Sequence, residues 1–290
     1  MWSVLNIMQT YRLILDCPDK TGIVSRVGSL ITENGGWISA ASQHSDIDSK
    51  RFFSRIEINA DSLAFGADVL REKFQPLVKE LELNLRIVDS GIAKRVILMV
   101  SKGSHCLSDL LDRWKSGDIN CEIPCIISNH DDLRGLAEFY GIPYHHVAID
   151  KANKAGGFAE VERLVDSFNV DCIVLARYMQ IFPQALCEKY RHQVINIHHS
   201  FLPSFVGGQP YHQASRRGVK LIGATCHYVT EALDEGPIID QDVVRVNHTD
   251  SVDDLVRLGK DVEKVVLARG LRAHLEDQVL VHRNKTIVFN

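Results

Sequence analysis

The most constraining feature of this 290-residue chain is a short, mostly apolar run, Val194–His198, that ends in a histidine and is followed by a second one, His199. Its alternation is typical of a β-strand, in which residues i and i+2 point to the same side. Asn196 and His198 are therefore expected to project together, while Ile195 and Ile197 face the opposite layer. A carboxamide beside an imidazole at the end of a strand is unusual for a buried sheet, so this pair predicts a functional site.

The chain after residue 93 alternates near-continuous apolar strands with helical segments, which is typical of a mostly parallel, doubly wound sheet. The predicted strands are 95–100, 123–128, 143–148, 172–176, 194–198, 221–228 and 238–246, followed by a helix at 251–275 and hairpin strands at 279–282 and 286–289. Ligands bind beyond the carboxyl ends of such strands. Four loops are therefore expected at the site. They follow Val100, Ser128, Ala176 and His198.

Residues 8–89 follow another pattern: strand, helix, strand, strand, helix, strand. This is the split βαββαβ, ferredoxin-like arrangement. The predicted strands are 11–15, 37–44, 51–59 and 83–88, and the predicted helices are 21–34 and 62–80. Ser90 and Gly91 predict a joint, so we expect an α/β protein with two domains, 8–89 and 93–290.

The first domain resembles the ACT domain, a small module that binds amino acids. The resemblance rests on Asp16-Cys-Pro-Asp-Lys-Thr-Gly22-Ile23-Val24 and on Asn34-Gly35-Gly36. It implies that Asp16, Gly22 and Ile23 contact an effector such as glycine or methionine. Gly22 would let the backbone approach a ligand closely, and the first turn of the following helix has free N–H groups for a carboxylate. The alternative is that Gly22 only caps a helix.

A third polar residue, Asp234, lies in a predicted turn before the strand at 238–246. Asn196 offers N–H donors to a carbonyl oxygen that becomes an oxyanion. His198 can donate or accept a proton near neutral pH. Asp234 can orient the imidazole or take a proton from water. The sequence signals no serine–histidine pairing and no reactive cysteine, so it favours attack by an external nucleophile.

Three longer runs surround these residues and resemble the formyltransferases that use 10-formyltetrahydrofolate. The runs are Asn196-Ile-His198-His-Ser-Phe-Leu-Pro-Ser-Phe205, Gly223-Ala-Thr-Cys-His227-Tyr-Val and Asp234-Glu-Gly236-Pro-Ile-Ile-Asp-Gln241. His199, Phe201 and residues 210–214, with the ACT-like front end, resemble one branch of that family, the formyltetrahydrofolate deformylases. The resemblance covers about residues 9–290.

The resemblance implies hydrolysis of 10-formyltetrahydrofolate to formate and tetrahydrofolate without a cofactor. It implies a role in supplying formate for purine synthesis and in balancing folate pools. It places Asn196, His198 and Asp234 at the catalytic positions of the family, with their acid and base duties still open. It also implies substrate contacts for Arg177, Tyr178, Met179, Ile181, His199, His227 and Gly236. Gly207-Gly208-Gln209 departs from the family pattern, which has Gly-Ala and then a variable, often basic residue.

Other functions are weighed against this one. A formyltransferase with an amine acceptor, such as glycinamide ribonucleotide, would use the same three side chains, since only the nucleophile differs. A catalytically silent folate or amino-acid sensor would be expected to have a broken trio, and here it is complete. A fourth interpretation is a metal site: three histidines form the zinc triads of some hydrolases, and His198, His199 and His227 could form such a triad. However, His199 is expected to point away from His198 if the strand continues, and the resemblance implies no metal.

Composition and charge limit the classes of binding partner and the cellular location that this chain is expected to have. The formal net charge of −4 gives no electrostatic case for nucleic acid or an anionic membrane. No apolar run approaches the length of a membrane span. The seven cysteines are scattered, which indicates reduced, buried thiols in a cytoplasmic protein. The exposed sheet edges of an ACT-like module predict a homo-oligomer.

Overall fold

The structure is a computed structural model that describes residues 8–204 and 209–289. The described chain divides into two compact units. The first unit runs to Ala93 and includes Glu276–Leu280 and the residues from Ile287 onward. The second unit comprises Lys94–Leu275 and Val281–Thr286. The domain boundaries of 8–89 and 93–290 stay a prediction.

The first unit is a four-stranded antiparallel sheet with two helices, in the strand order β2-β3-β1-β4. Its elements are β1 (Thr10–Pro18), α1 (Ile23–Glu33), β2 (Ile38–Asp46), β3 (Arg51–Asn59), α2 (Ala67–Leu81) and β4 (Asn84–Asp89). The predicted βαββαβ fold is thus confirmed. The second helix begins at Ala67 rather than at residue 62, because residues 60–62 first form a 3₁₀ turn.

The two faces of this sheet have separate apolar clusters. On one face, α1 buries Ile23, Val27 and Ile31, which recur at every fourth position and so form one helical stripe. They pack in a cluster with β1, β3 and α2. On the other face, Ile14 and Phe53 are buried with two residues from the end of the chain, Leu280 and Phe289.

The second unit contains a seven-stranded mixed sheet in the order β11-β10-β9-β8-β5-β6-β7. Its strands are β5 (Val96–Val100), β6 (Ile126–Ser128), β7 (Tyr144–His146), β8 (Cys172–Leu175), β9 (Val194–His198), β10 (Leu221–Tyr228) and β11 (Ile238–Arg245). β5 to β9 run parallel, and β10 pairs antiparallel with both of its neighbours, β9 and β11. All residues of β5 and β8 are buried, which explains their unbroken apolar sequences. The predicted mostly parallel sheet is thus confirmed.

Helices separate most of these strands. They are α3 (His105–Ser116), α4 (Arg134–Phe139), α5 (Lys154–Phe168), α6 (Gln184–Lys189), α7 (Pro210–Arg217) and α8 (Val252–Leu275). The sequence pattern predicts no helix at α7. β12 (Val279–His282) and β13 (Lys285–Val288) form the closing hairpin, as predicted. Gly207 and Gly208, which belong to the segment that departs from the family pattern, lie outside the described residues.

The 24-residue α8 packs against β10 and β11. Its buried stripe repeats at every fourth position through Leu255, Gly259, Glu263, Leu267 and Leu271. A carboxylate in the middle of this stripe is unusual, because a buried charge is costly without partners.

No helix in the described part of the chain is long and apolar enough to cross a membrane.

Candidate active site

A cavity of about 340 Å³ lies in the second unit, where β8 and β9 end. Its walls come from the loop after β8, the end of β9, and the connection between β10 and β11. Among the residues that line it are Arg177, Tyr178, Met179, Ile181, Asn196, His198, His199, Gln209, His227, Leu233 and Asp234. The loops after Ala176 and His198 therefore line the cavity. Among the described residues, the loops after Val100 and Ser128 contribute none to its lining.

The loop after β5 instead supports the cavity wall. The Ser101 hydroxyl accepts a hydrogen bond from the backbone N–H of Met179 at 2.9 Å. The same hydroxyl donates to the Asn129 side chain at 2.6 Å. Both Ser101 and Asn129 are buried, so these hydrogen bonds hold the loop after β8 in place.

Asn196, His198 and Asp234 meet at the cavity. Asn196 and His198 lie two residues apart on β9, and Asp234 lies in the turn between β10 and β11. His198 Nδ1 is 3.3 Å from Asp234 Oδ1, and both side chains are at most 10% exposed. Asp234 has a φ of 58°, a left-handed conformation that lets the turn aim its carboxylate at the imidazole.

The charge state of Asp234 follows from its neighbours. Burial by itself raises the pKa of this carboxyl group, but the hydrogen bond from His198 and the nearby imidazoles outweigh it. The pKa of Asp234 therefore lies below its ordinary value. Asp234 stays a carboxylate near neutral pH and can orient His198 or accept a proton from water.

His198 keeps one ring nitrogen available. Nδ1 lies beside Asp234, while the buried Nε2 has no hydrogen-bond partner among the described residues. A buried polar atom without a partner is costly. Nε2 is therefore free to bond a substrate atom in the cavity.

His227 orients Asn196, which lies directly opposite it across β9 and β10. Burial lowers the pKa of His227, so its ring is neutral at neutral pH. Nδ1 donates to the Tyr228 carbonyl at 2.9 Å, so Nε2 accepts from the Asn196 amide at 3.2 Å. The second amide N–H of Asn196 remains for a substrate oxygen. His227 Nε2 is 3.9 Å from Asp234, beyond hydrogen-bond range.

The other predicted substrate residues divide into groups. Met179 and Ile181 are 59% and 60% exposed, so the cavity has an open apolar edge. Tyr178 lines the cavity but packs into the core. Burial raises the pKa of its hydroxyl group. Gly236 is not among the lining residues, and a side chain there would collide with the Tyr228 carbonyl.

The expectation that His199 points away from His198 depended on the strand continuing past its predicted end at His198. β9 ends at His198, so the alternation no longer holds. The His198 and His199 rings stack with centroids 5.2 Å apart and planes at 26°. His199 therefore does not point away from His198.

In the first unit, the three predicted effector residues have different surroundings. Asp16 forms an ion pair with Arg51 and accepts a hydrogen bond from Asn84 at 2.9 Å, so its carboxylate is already engaged within the sheet. Gly22 has a φ of 89° and begins α1 without a side-chain cap. Ile23 is a core residue, 2% exposed. An effector site at these residues stays a prediction.

Among residues 8–204 and 209–289, one group of side chains has the spacing of metal ligands: His105, Cys106 and Glu263. The Glu263 carboxylate already accepts hydrogen bonds from His105 at 2.8 Å and from Tyr211 at 2.6 Å. Burial raises the pKa of Cys106 well above its ordinary value, so it is a neutral thiol. This chemistry fits a hydrogen-bonded cluster better than a metal centre.

The sequence prediction missed Glu263, Tyr211 and His105. The signal for Glu263 was present, because it interrupts the apolar stripe of α8 at a core position. Nothing in the sequence near Tyr211 or His105 indicates that these side chains meet that carboxylate. Only the fold brings the start of α3, α7 and the middle of α8 together.

Both units match known families. The formyl transferase family matches residues 94–271, and the ACT domain family matches residues 11–71. The chain is therefore a member of the formyl transferase family that carries an ACT domain.

Relatives over the full length define the branch. A formyltetrahydrofolate deformylase from Synechocystis sp. is 46% identical over 280 residues, which cover 97% of this chain and 98% of the relative. The crystal structure of a formyltetrahydrofolate deformylase from Pseudomonas syringae superposes with a TM-score of 0.97 at 60% identity, covering 99% of this chain and 96% of that one. This chain belongs to the formyltetrahydrofolate deformylase family.

A transferase with the same catalytic fold matches a smaller share of the chain. Glycinamide ribonucleotide transformylase 1 from Symbiobacterium toebii superposes with a TM-score of 0.64 at 29% identity. The match covers 68% of this chain and 95% of that one. The chain therefore extends well beyond what this transformylase shares with it.

Proposed function

We propose that this protein hydrolyses 10-formyltetrahydrofolate to formate and tetrahydrofolate. The observation that carries the proposal is the meeting of Asn196, His198 and Asp234 at one cavity, in a chain whose full-length relatives are named deformylases. The cavity joins an oxyanion donor, an imidazole and a carboxylate, which is the set needed to add water to a formyl group.

In the proposed reaction, water attacks the formyl carbon while Asp234 accepts a proton from that water. The carbonyl oxygen becomes an oxyanion, which the free amide N–H of Asn196 and the Nε2–H of protonated His198 stabilise. His198 then delivers its proton to N10 of the folate as the carbon–nitrogen bond breaks. Asp234 and formic acid then each lose a proton; one of these protons recharges His198 and the other goes to solvent, so the products are formate and tetrahydrofolate.

The remaining cavity residues suit a folate. Met179, Ile181 and Leu233 are exposed apolar side chains at the cavity, where a flat heteroaromatic ring would cover them. Gln209 also lines the cavity and provides an uncharged amide there. The proposal needs no metal or organic cofactor, because the water is activated by a carboxylate.

The competing proposal is transfer of the formyl group to an amine, such as glycinamide ribonucleotide. The trio serves both reactions. Hydrolysis is favoured because the relatives that span the ACT domain as well as the catalytic unit are named deformylases.

The deciding experiment measures formate release from 10-formyltetrahydrofolate by the full-length protein in amine-free buffer. We expect steady formate production that glycinamide ribonucleotide does not accelerate. Negligible release without the amine, followed by rapid transfer after it is added, would instead identify a transferase. His198→Asn should lower the rate of formate release by about 100-fold or more. His248→Asn, at an exposed histidine, is the matched control and should retain it.

We further propose that the ACT domain makes this activity responsive to an amino acid, glycine or methionine, so that formate supply for purine synthesis follows one-carbon demand. The same assay with each amino acid tests this.

The edge strand β2, which is largely exposed, supports assembly into a homo-oligomer. All seven cysteines are free buried thiols, which suits a reducing, cytoplasmic location.

A further inference from the structure

A second polar cluster lies in the same unit as the catalytic trio. Its centre is Glu263 on α8, whose side chain is 1% exposed. One carboxylate oxygen accepts from the Tyr211 hydroxyl at 2.6 Å. The other lies 2.8 Å from His105 Nε2 and 3.4 Å from Arg177 Nε. Glu263, Tyr211, His105 and Arg177 are called the Glu263 cluster below.

The fold makes space for this cluster. Gly259 lies one helical turn before Glu263, and a Cβ atom at Gly259 would collide with the Tyr211 ring. Burial by itself raises the pKa of Glu263, but the His105 hydrogen bond and the Arg177 charge bring the pKa below its ordinary value. Glu263 is therefore a buried anion, which persists only where its partners are fixed.

Arg177 adopts a backbone conformation that is costly for a residue with a side chain. Its φ is 66°, in the left-handed region that glycine adopts without strain. Strain of this kind persists where the surroundings require that side chain in that place. Here the guanidinium bridges Glu263 and the cavity residue His199.

The contact between Arg177 and His199 fixes the proton on the imidazole. Arg177 Nη1 bonds His199 Nδ1, and a guanidinium can only donate. Nδ1 of His199 is therefore an acceptor, so a neutral ring carries its proton on Nε2. Burial first, and then the Arg177 charge, lowers the pKa of His199 to about 4.

His199 in turn lies against the catalytic imidazole. Its ring stacks on His198 at 5.2 Å and also packs near the Tyr211 ring at 6.0 Å. The charged and titratable groups around His199 are Arg177, Glu263, Tyr211, His198 and Asp234. Those around His198 also include His227. A positive charge on His199 would oppose a positive charge on His198.

We propose that Arg177, anchored by Glu263, is a positioning residue that holds His199 neutral with its proton on Nε2, so that His198 alone carries the proton of the reaction. The inference rests on the proposed hydrolysis, since it assigns the protonated imidazole of that mechanism. It also gives Arg177 a role that does not require contact with the substrate.

The first test reads the proton directly in the full-length wild-type protein labelled with ¹⁵N-histidine. The His199 resonances are assigned by their loss in His199→Asn. We expect a neutral ring with the proton on Nε2 from pH 8 to pH 5.5. A charged ring in this range, or a neutral ring with its proton on Nδ1, would overturn the proposal. This measurement does not depend on activity, so it stays informative even if amine-free formate release fails.

The second test is the pH dependence of kcat for Arg177→Met. The change removes a group that lowers the pKa of His199 and leaves Glu263, which raises it. Burial still lowers the pKa of His199, but we expect a larger protonated fraction than in wild type as the pH falls. We expect the ratio of variant to wild-type kcat to be about fivefold lower at pH 5.5 than at pH 8. A ratio that is equal at both pH values contradicts the proposal.

Three further variants separate positioning from simple damage. The double variant Arg177→Met/His199→Asn has no imidazole to protonate, so its ratio should not change with pH. Arg177→Lys keeps a charged donor and should restore the flat profile. Arg163→Met, at an exposed arginine paired with Glu160, is the matched control for loss of one guanidinium and should behave like wild type. A pH-dependent ratio in the double variant would contradict the proposal.

Discussion

At the scale of single residues, the cavity concentrates backbone strain. Arg177, Gln209 and Asp234 all have a φ between 57° and 66° although none is glycine. All three line the cavity. Each left-handed residue costs about 1–2 kcal/mol, and such strain is typical of functional sites. The local sequence gives no indication of it at Arg177 and Gln209, because glycine, asparagine and aspartate are the usual residues in this conformation.

The role of Asp234 gives the residue-scale prediction. Asp234→Asn keeps the size of the side chain and tolerates the left-handed conformation, but it removes the carboxylate that pairs with His198. We expect kcat for formate release to fall by about 100-fold or more, with little change in melting temperature. Formate assays and thermal unfolding measure the two effects.

Asp132→Asn is the matched control, since Asp132 is an exposed aspartate in the same unit. It should leave both quantities unchanged. Near-normal activity in a folded Asp234→Asn protein would exclude Asp234 as the group that accepts the proton from water.

At the scale of elements, α8 decides how the catalytic unit is assembled. Its buried stripe joins apolar residues to Glu263, and its glycines allow close contacts. A Cβ at Gly270 would meet the Cys226 side chain on β10, and one at Gly259 would meet Tyr211 on α7. Helix propensity and tertiary packing therefore oppose each other at these positions.

Gly259→Ala tests which effect dominates. In an exposed helix, alanine stabilises by about 1 kcal/mol relative to glycine. Here the methyl group must displace Tyr211, and overpacking costs about 1–3 kcal/mol. We expect a lower free energy of unfolding, measured by urea denaturation. We also expect reduced formate release, because Tyr211 can no longer hold Glu263.

The control for that prediction is Gly135→Ala in α4, where a Cβ would have no neighbour within 4 Å. It should be neutral or stabilising. Destabilisation by both substitutions would show that the Tyr211 contact is not the cause.

At the scale of the whole molecule, the end of the chain belongs to the first unit. Leu280 and Phe289 are buried with Ile14 and Phe53 of the antiparallel sheet. The Asp277 side chain is fully buried and lies 3.4 Å from Arg12 of β1. Removing the N-terminal residues would therefore expose apolar and charged groups near the C-terminus.

We expect a fragment of residues 94–290 to associate with itself, because Leu280 and Phe289 lose their contacts with Ile14 and Phe53 and become exposed. Size-exclusion chromatography would show species larger than those of the full chain. The fragment carrying Leu280→Ser and Phe289→Ser is the control, and it should associate less. A fragment that elutes as one well-defined species with full formate release would contradict the expectation.

The sequence by itself determined the fold class, the order of the strands along the chain and the central pair of the site. Apolar alternation identified β9 and placed Asn196 and His198 on one side, because strand periodicity is local. The long runs around Asp234 identified the family. These features depend on neighbours in sequence, so one chain is enough to read them.

The tertiary structure alone decided what surrounds that pair. It showed that the His199 ring stacks on the His198 ring and that His227 bonds Asn196. It also brought Glu263 to Arg177 from a helix far along the chain. Such contacts depend on burial and on the packing of distant elements, and no local pattern encodes them. Periodicity placed Asn196 and His198 on one side of the strand, and packing decided which side chains surround them.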